Sequence, residues 1–506
     1  MTLNKSFDDY WSYPRRRELS RFNREELKAA GFSEDVLPTR EEERKWNIGN
    51  FASIWMGAVH NIPNYIAIGG LFALGLSVGQ VFAAIMVASL IIAAMLVLNG
   101  HAGSKYGLPF AMLLRLSFGT KGAMIPGVLR GVIAAIMWFG FQTYAGSQAL
   151  SILIGKLWPS YLTMGGDWSL LGLSLPALLS FLIFWLLNVA LIYGGMGFLG
   201  KFSNILSPLV YIVFGGMAIW AINLAGGIGP ILAYTGSGVA GNKMIIFIAA
   251  VTAVIAAWAT LFVNVSDFTR MAKSTKDQAI GQTIGIVVAF LLFAVASISI
   301  IVGSEIAFGT PIWNVLDVVA RFDSTFAIGI SVLTLCLTTL SVNVTGNIVP
   351  AGYQLASLFP KKITFKSGAL IAAFIGILVM PWKLMENATS IFTFLNIVGG
   401  ILAPVTGIML AQYFIISKTN IDLNELYAPK GKYNYKNGFN IIAIITMIIA
   451  GILCLGGNFL PLLKPLYDMS WFVGIISAFI IYTLIEWQNS KGTLLEKKPK
   501  LHEENS

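Results

Sequence analysis

The stretch Phe51-Ala52-Ser53-Ile54-Trp55-Met56-Gly57-Ala58-Val59-His60-Asn61-Ile62-Pro63-Asn64 continues through apolar residues to Leu76 and is long enough to cross a bilayer. Its centre nevertheless holds an imidazole, two amides, a glycine and a proline. Proline removes a backbone donor and clashes with the preceding turn. In hydrocarbon the freed carbonyls are costly unless protein, water or an ion satisfies them. The pattern predicts a helix broken at mid-membrane, the feature that marks the binding site of secondary transporters.

Composition supports this reading. The 506 residues are 56% hydrophobic and 11% charged, whereas a soluble protein carries about 25% charged residues. Mean hydropathy is +0.75, and the chain reads as an all-α polytopic membrane protein. Cys336 and Cys454 both fall in apolar spans, and His60, His101 and His502 are scattered, so neither a disulfide framework nor a metal cluster is expected. Residues 1–47 hold ten Lys/Arg and ten Asp/Glu and contain no apolar core segment. They read as a solvated cytoplasmic segment with short helices, without a cleavable signal peptide.

Twelve apolar spans follow, at roughly 50–76, 81–98, 123–154, 170–194, 205–225, 244–266, 281–302, 325–349, 368–384, 389–415, 438–460 and 468–488. With the N-terminus inside, 28 Lys/Arg lie in cytoplasmic segments and five (Lys156, Lys243, Arg321, Lys383 and Lys464) in external loops. The positive-inside rule then places both termini in the cytoplasm. The net charge of +10 follows from these loop bases and implies no nucleic-acid partner. Gly107 to Phe118 reads as a re-entrant or interfacial helix, and the loop Phe308 to Phe322, with Pro311, Trp313 and Asp317, as a short external helix. The residues from 489, including Lys497 and Lys498, read as a disordered cytoplasmic tail.

Five spans after the first break, span six runs from Trp258 into Asn264, Ser266 and Asp267. Breaks in corresponding positions indicate repeats. The units are then a first repeat at 48–225, a second at 244–415, and two extra helices at 438–488. Span three carries Trp138 and Gln142 four residues apart, hence on one face. Span eight carries Ser341, Asn343 and Asn347, and span one His60 and Asn61. No Asp or Glu lies deep in the first ten spans. Indole faces and amides that both donate and accept suit a neutral, planar, polar solute. Arg130 reads as a side chain snorkelling to the cytoplasmic interface, so that Arg130→Lys should spare binding.

These residues carry a resemblance. Asn50 to Gly57 with His60-Asn-Ile-Pro63, Asn99 to Phe110, Trp138-Phe-Gly-Phe-Gln142, Asn264 to Arg270, Ser341 to Asn347, Pro381 to Glu386 and Leu466 to Gly474 are similar to the nucleobase:cation symporter-1 family, in its bacterial allantoin-permease branch. The resemblance implies a five-plus-five inverted repeat, as in leucine-transporter-like folds, and alternating access. It implies that the substrate ring stacks between Trp138 and Trp258, that Gln142, Asn347 and Asn61 read its edge, and that Phe394 and Leu395 gate the site.

Sodium-coupled relatives use carbonyls at the positions of Gly57, His60 and Thr338, with two adjacent hydroxyls. Here Ser341 is followed by Val342, which offers no oxygen. The coupling ion is therefore Na⁺ or H⁺, with His60 as the titratable group near mid-membrane. The expected protein is not an enzyme and needs no cofactor. It is a monomeric, multi-pass cell-membrane importer of allantoin, or else of a hydantoin or uracil. A channel would need a continuous polar pore, and a receptor a signalling domain; neither is visible in the sequence.

Overall fold

A computed structural model describes residues 24–496, apart from positions 30, 31, 33, 240, 311, 313, 323, 360, 361 and 429 and the side chains of 35, 194–207, 357, 388 and 490–496. The expectations for residues 1–23, for Pro311 and Trp313, and for the tail beyond 496 lie outside the described residues. Each of the twelve expected apolar stretches is helical. Eight described helices are long and apolar enough to cross a membrane by length and composition. A two-residue antiparallel hairpin, Ser169–Leu170 with Ser174 and Leu173, is the only sheet among the described residues.

The first expected span is two helices, α1 (Ile48–Val59) and α2 (Ile62–Ala73). Asn47 and Asn50 start α1 with a reciprocal capping box at 3.2 and 3.0 Å. Pro63 sits at the start of α2, where its missing N–H costs nothing. In a continuous helix its ring would strike the carbonyl of Val59. That carbonyl instead accepts the Asn61 N–H at 3.1 Å and Asn64 Nδ2 at 2.8 Å. Asn61 caps α2 by accepting the Asn64 N–H at 3.0 Å, and it donates to Ala58 O at 2.8 Å. Tyr211 donates to Met56 O at 2.9 Å. The polar residues that mark the break in sequence are thus the groups that satisfy it.

After α3 (Val78–Tyr106) comes α4 (Phe110–Phe118), most of whose side chains are buried. The expected short helix is present and packed against its neighbours. The carboxylate of Asp267 accepts the Phe110 N–H at 2.8 Å, a favourable place for an anion because the first backbone donors of a helix are unpaired. Helix α5 (Met124–Leu157) contains a π-turn at Leu129–Ala134. Expected spans four and five form one helical run, α6 (Leu175–Leu224), with Pro208 inside it.

The second break separates α7 (Lys243–Ala256) from α8 (Ala259–Asn264) at Ala257 and Trp258, and α9 (Ser266–Thr269) follows. Then come α10 (Thr275–Phe308), α11 (Val315–Val319), α12 (Thr325–Ala356, with a π-turn at Val344–Ile348), α13 (Phe365–Leu378), α14 (Ala388–Leu410), α15 (Ile441–Leu455) and α16 (Ser470–Glu496). The α11 side chains Val315, Leu316, Val318 and Val319 are buried. Helix α16 runs past the expected start of the tail.

Part of the expected solvated N-terminal segment is tied down. Thr39 donates its N–H to Gly107 O at 2.9 Å and accepts Arg270 Nε at 2.7 Å. The Trp46 backbone pairs with Met271 O at 2.9 Å and with the Lys273 N–H at 2.8 Å. This strap lies along the ends of α3 and α9 and forms one rim of the cavity described next.

Candidate substrate cavity

A cavity of about 1810 Å³ lies between the two helix breaks. Its deep wall includes Gly57, Asn61, Trp138, Gln142, Trp258, Thr338, Ser341, Val342 and Asn347. Its mouth is lined by Trp46, Asn47, Lys121, Arg270 and Phe439, on the face that carries the N-terminal strap. A small-ligand pocket measures about 300–1,000 Å³, so this cavity is larger than one small ligand fills.

The four-residue spacing of Trp138 and Gln142 does bring both to one wall. They are 4% and 5% exposed. Trp138 Nε1 and Gln142 Oε1 have no hydrogen-bond partner among the described residues. Such buried polar atoms are costly until something pairs with them. Trp258 occupies the second break, and its ring lies 6.0 Å from that of Trp55 and 5.5 Å from that of Phe290. Asn347 donates to Asn343 Oδ1 at 2.9 Å. Asn343 is spent elsewhere, donating to Phe139 O, Thr143 Oγ1 and Asn188 Oδ1 at 3.0–3.2 Å, and so joins α5, α6 and α12.

Phe394 and Leu395 are buried and do not line the cavity. Phe394 packs edge-on to Trp138 at 5.0 Å and flat on Phe141 at 4.8 Å.

His60 does not line the cavity either. It sits in an aromatic box of Tyr211, Phe214 and Phe293, with ring centroids 4.6, 5.0 and 5.3 Å away. Neither ring nitrogen has a partner among the described residues. Its backbone is more telling. The carbonyls of Gly57 and His60 accept no hydrogen bond among the described residues, because Asn61 N bonds to Val59 O and Asn64 N bonds to Asn61 Oδ1. Those two oxygens could serve a hard cation. Thr338 Oγ1 donates to Thr334 O at 2.9 Å, and Val342 brings no oxygen.

Sequence reasoning missed two cavity residues. Trp55 lies in the quoted opening motif, but its contact with Trp258 depends on how the two breaks meet. Arg130 is not a snorkelling side chain. It is fully buried, lines the cavity and bonds to Thr260 O at 2.6 Å, Asn264 Oδ1 at 3.0 Å and Gly346 O at 3.1 Å. Its partners come from two other helices, which one-dimensional depth does not reveal.

Two broken helices enclosing a cavity of indoles and amides, backed by stacked aromatics, are the architecture of a secondary membrane transporter. The chain belongs to the family of permeases for cytosine/purines, uracil, thiamine and allantoin, which matches residues 38–474. A relative in Escherichia coli (strain K12), named only provisionally as an allantoin permease, is 54% identical over 92% of this chain and 96% of its own length. The allantoin permease of Bacillus subtilis (strain 168) is 48% identical over 90% of this chain and 92% of its own. The solved structure of Mhp1, a nucleobase-cation-symport-1 family transporter in a closed conformation with bromovinylhydantoin bound, aligns with a TM-score of 0.75. It is 25% identical, covering 91% of this chain and 96% of that one.

Proposed function

We propose that this protein imports allantoin, a neutral nitrogen heterocycle, across the cell membrane by alternating access. The observation that carries the reading is the convergence of Trp138, Gln142, Trp258, Asn347 and Asn61 on one cavity at two helix breaks. The allantoin-permease relatives at 54% and 48% identity favour the same substrate. The ring enters the slot between Trp138 and Trp258. Gln142 and Asn347 meet its ureide edge, and Asn61 uses the donor and acceptor capacity left beyond its capping bonds. A hydantoin is the second reading, favoured by the ligand held in Mhp1.

The topology proposed is twelve crossings in a five-plus-five inverted repeat, with both termini in the cytoplasm and a monomer as the working unit. The mouth beside Trp46 and Arg270 then faces the cytoplasm, and the Phe394–Phe141 stack closes the outer side. Rocking of the broken-helix bundle against its partner reverses the two. Transport is coupled to a cation, Na⁺ or H⁺. A sodium ion would meet the carbonyls of Gly57, His60 and Thr338 and the hydroxyl of Ser341. A ligand that binds both states equally shifts nothing, so coupling requires that the cation bind one state better than the other.

Equilibrium binding tests this reading. Purified protein is titrated with allantoin, uracil and benzylhydantoin while tryptophan fluorescence is followed. Tightest binding of allantoin, abolished in Trp138→Ala/Trp258→Ala, supports it. Tighter binding of uracil or benzylhydantoin would overturn the substrate assignment.

A further inference from the structure

One guanidinium, carried on the helix of Trp138 and Gln142, bonds to the segments that follow Trp258 and precede Asn347. Arg130 lies on α5, two turns before Trp138. Thr260 lies two residues after Trp258, and Gly346 immediately precedes Asn347. The bonds are Nε to Thr260 O at 2.6 Å, Nη2 to Asn264 Oδ1 at 3.0 Å and Nη2 to Gly346 O at 3.1 Å. The sequence explains why one of these acceptors, Gly346 O, is available. Gly346 O would ordinarily accept from the residue four further on, but that residue is Pro350, which has no N–H. The π-turns at Leu129–Ala134 and Val344–Ile348 contain Arg130 and Gly346 respectively. Side chains at Gly127 and Gly131 would collide with Gln354, so the glycines allow α5 to approach α12 closely here.

A buried guanidinium stays charged and holds its acceptors in a fixed fork. Asn264 extends the link by donating to Asp267 Oδ2 at 3.2 Å, and Asp267 Oδ1 accepts the Phe110 N–H at 2.8 Å. The nearest carboxylate is thus one side chain removed, and the direct partners of Arg130 are neutral oxygens of the site walls.

We propose that Arg130 is a positioning residue that sets the width of the ring slot, tying α8, which follows Trp258, to α5 and α12, which carry Trp138 and Asn347. The inference rests on the assignment of those residues to substrate binding. It makes Arg130, itself part of the cavity lining, a determinant of ligand size through the spacing of the walls it joins. A lysine at this position keeps the charge but presents one nitrogen in place of the fork, and cannot reach three oxygens on two helices.

The test is the ratio of affinities for a compact ring, allantoin, and a bulky one, benzylhydantoin. This ratio is independent of the folded fraction, which a merely structural role would change. Loss of one or two charge-assisted bonds predicts that Arg130→Lys weakens allantoin about tenfold or more. Benzylhydantoin, which a loosened slot accommodates, weakens far less, so the ratio shifts by a similar factor. Asn264→Ala, which leaves the guanidinium in place, shifts the ratio in the same direction by less, and decides the matter should Arg130→Lys fail to fold. An unchanged ratio, whether both affinities persist or both fall together, overturns the proposal. Wild-type protein that binds neither ring would instead count against the substrate assignment.

Discussion

Phe394 stands edge-on to Trp138, with ring centroids 5.0 Å apart, and lies flat on Phe141 at 4.8 Å with the two planes 8° from parallel. In the proposed transport cycle this stack is the barrier on the side of the site away from Trp46 and Arg270. Removing it should uncouple binding from accumulation. Phe394→Ala is expected to keep allantoin affinity within about threefold while accumulation against a gradient collapses, measured in detergent and in proteoliposomes respectively. Undiminished accumulation would show that Phe394 is packing alone.

Trp138 should act through its ring face. Covering the face of a non-aromatic ring stabilises through the apolar area removed from water, about 25 cal/mol per Å², and tenfold in affinity is about 1.4 kcal/mol. Trp138→Ala is expected to weaken binding by about tenfold or more, and Trp138→Phe by clearly less. Isothermal titration reads both. Equal losses in the two variants would assign the role to the indole N–H.

Asn61 is expected to do two jobs that substitution can separate. Its Oδ1 caps α2 and its Nδ2 pins Ala58 O. Asn61→Ala should cost about 1–2 kcal/mol of stability, visible as a lower melting temperature. Asn61→Ser restores a cap acceptor but not the amide, so thermal stability should recover further than allantoin affinity. Parallel recovery of both would reduce Asn61 to a helix cap.

His60 should be dispensable for proton-driven uptake, because its ring faces Tyr211, Phe214 and Phe293 and not the cavity. His60→Phe keeps the box aromatic. Uptake driven by a pH gradient, if wild-type protein shows it, is expected to persist in this variant. Its selective loss would return His60 to the proton path.

How much of this was legible in the sequence follows from which contacts are local. The break at His60 to Pro63 was visible because proline geometry and the Asn61 and Asn64 caps act within a few residues. The pairing of Trp138 with Gln142 was visible because a helix fixes which positions share a face. The direction of the His60 ring was not, since it is set by aromatics on α6 and α10. Arg130 looked like an interfacial side chain because its depth suggested it, while its acceptors, Thr260 O and Gly346 O, are brought in by α8 and α12. The proline four residues after Gly346 was the available clue to one of them. The strap at Thr39 and Trp46 was hidden by a charged composition, although Leu37 within it is wholly buried.

The most direct test of the central claim is uptake of labelled allantoin into proteoliposomes under a Na⁺ gradient and, separately, a proton gradient, with Trp138→Ala/Trp258→Ala protein alongside. Accumulation above equilibrium in wild type with one of the gradients, lost in the double variant, is the predicted result. Absence of accumulation under both gradients, or accumulation that survives loss of both indoles, would contradict it.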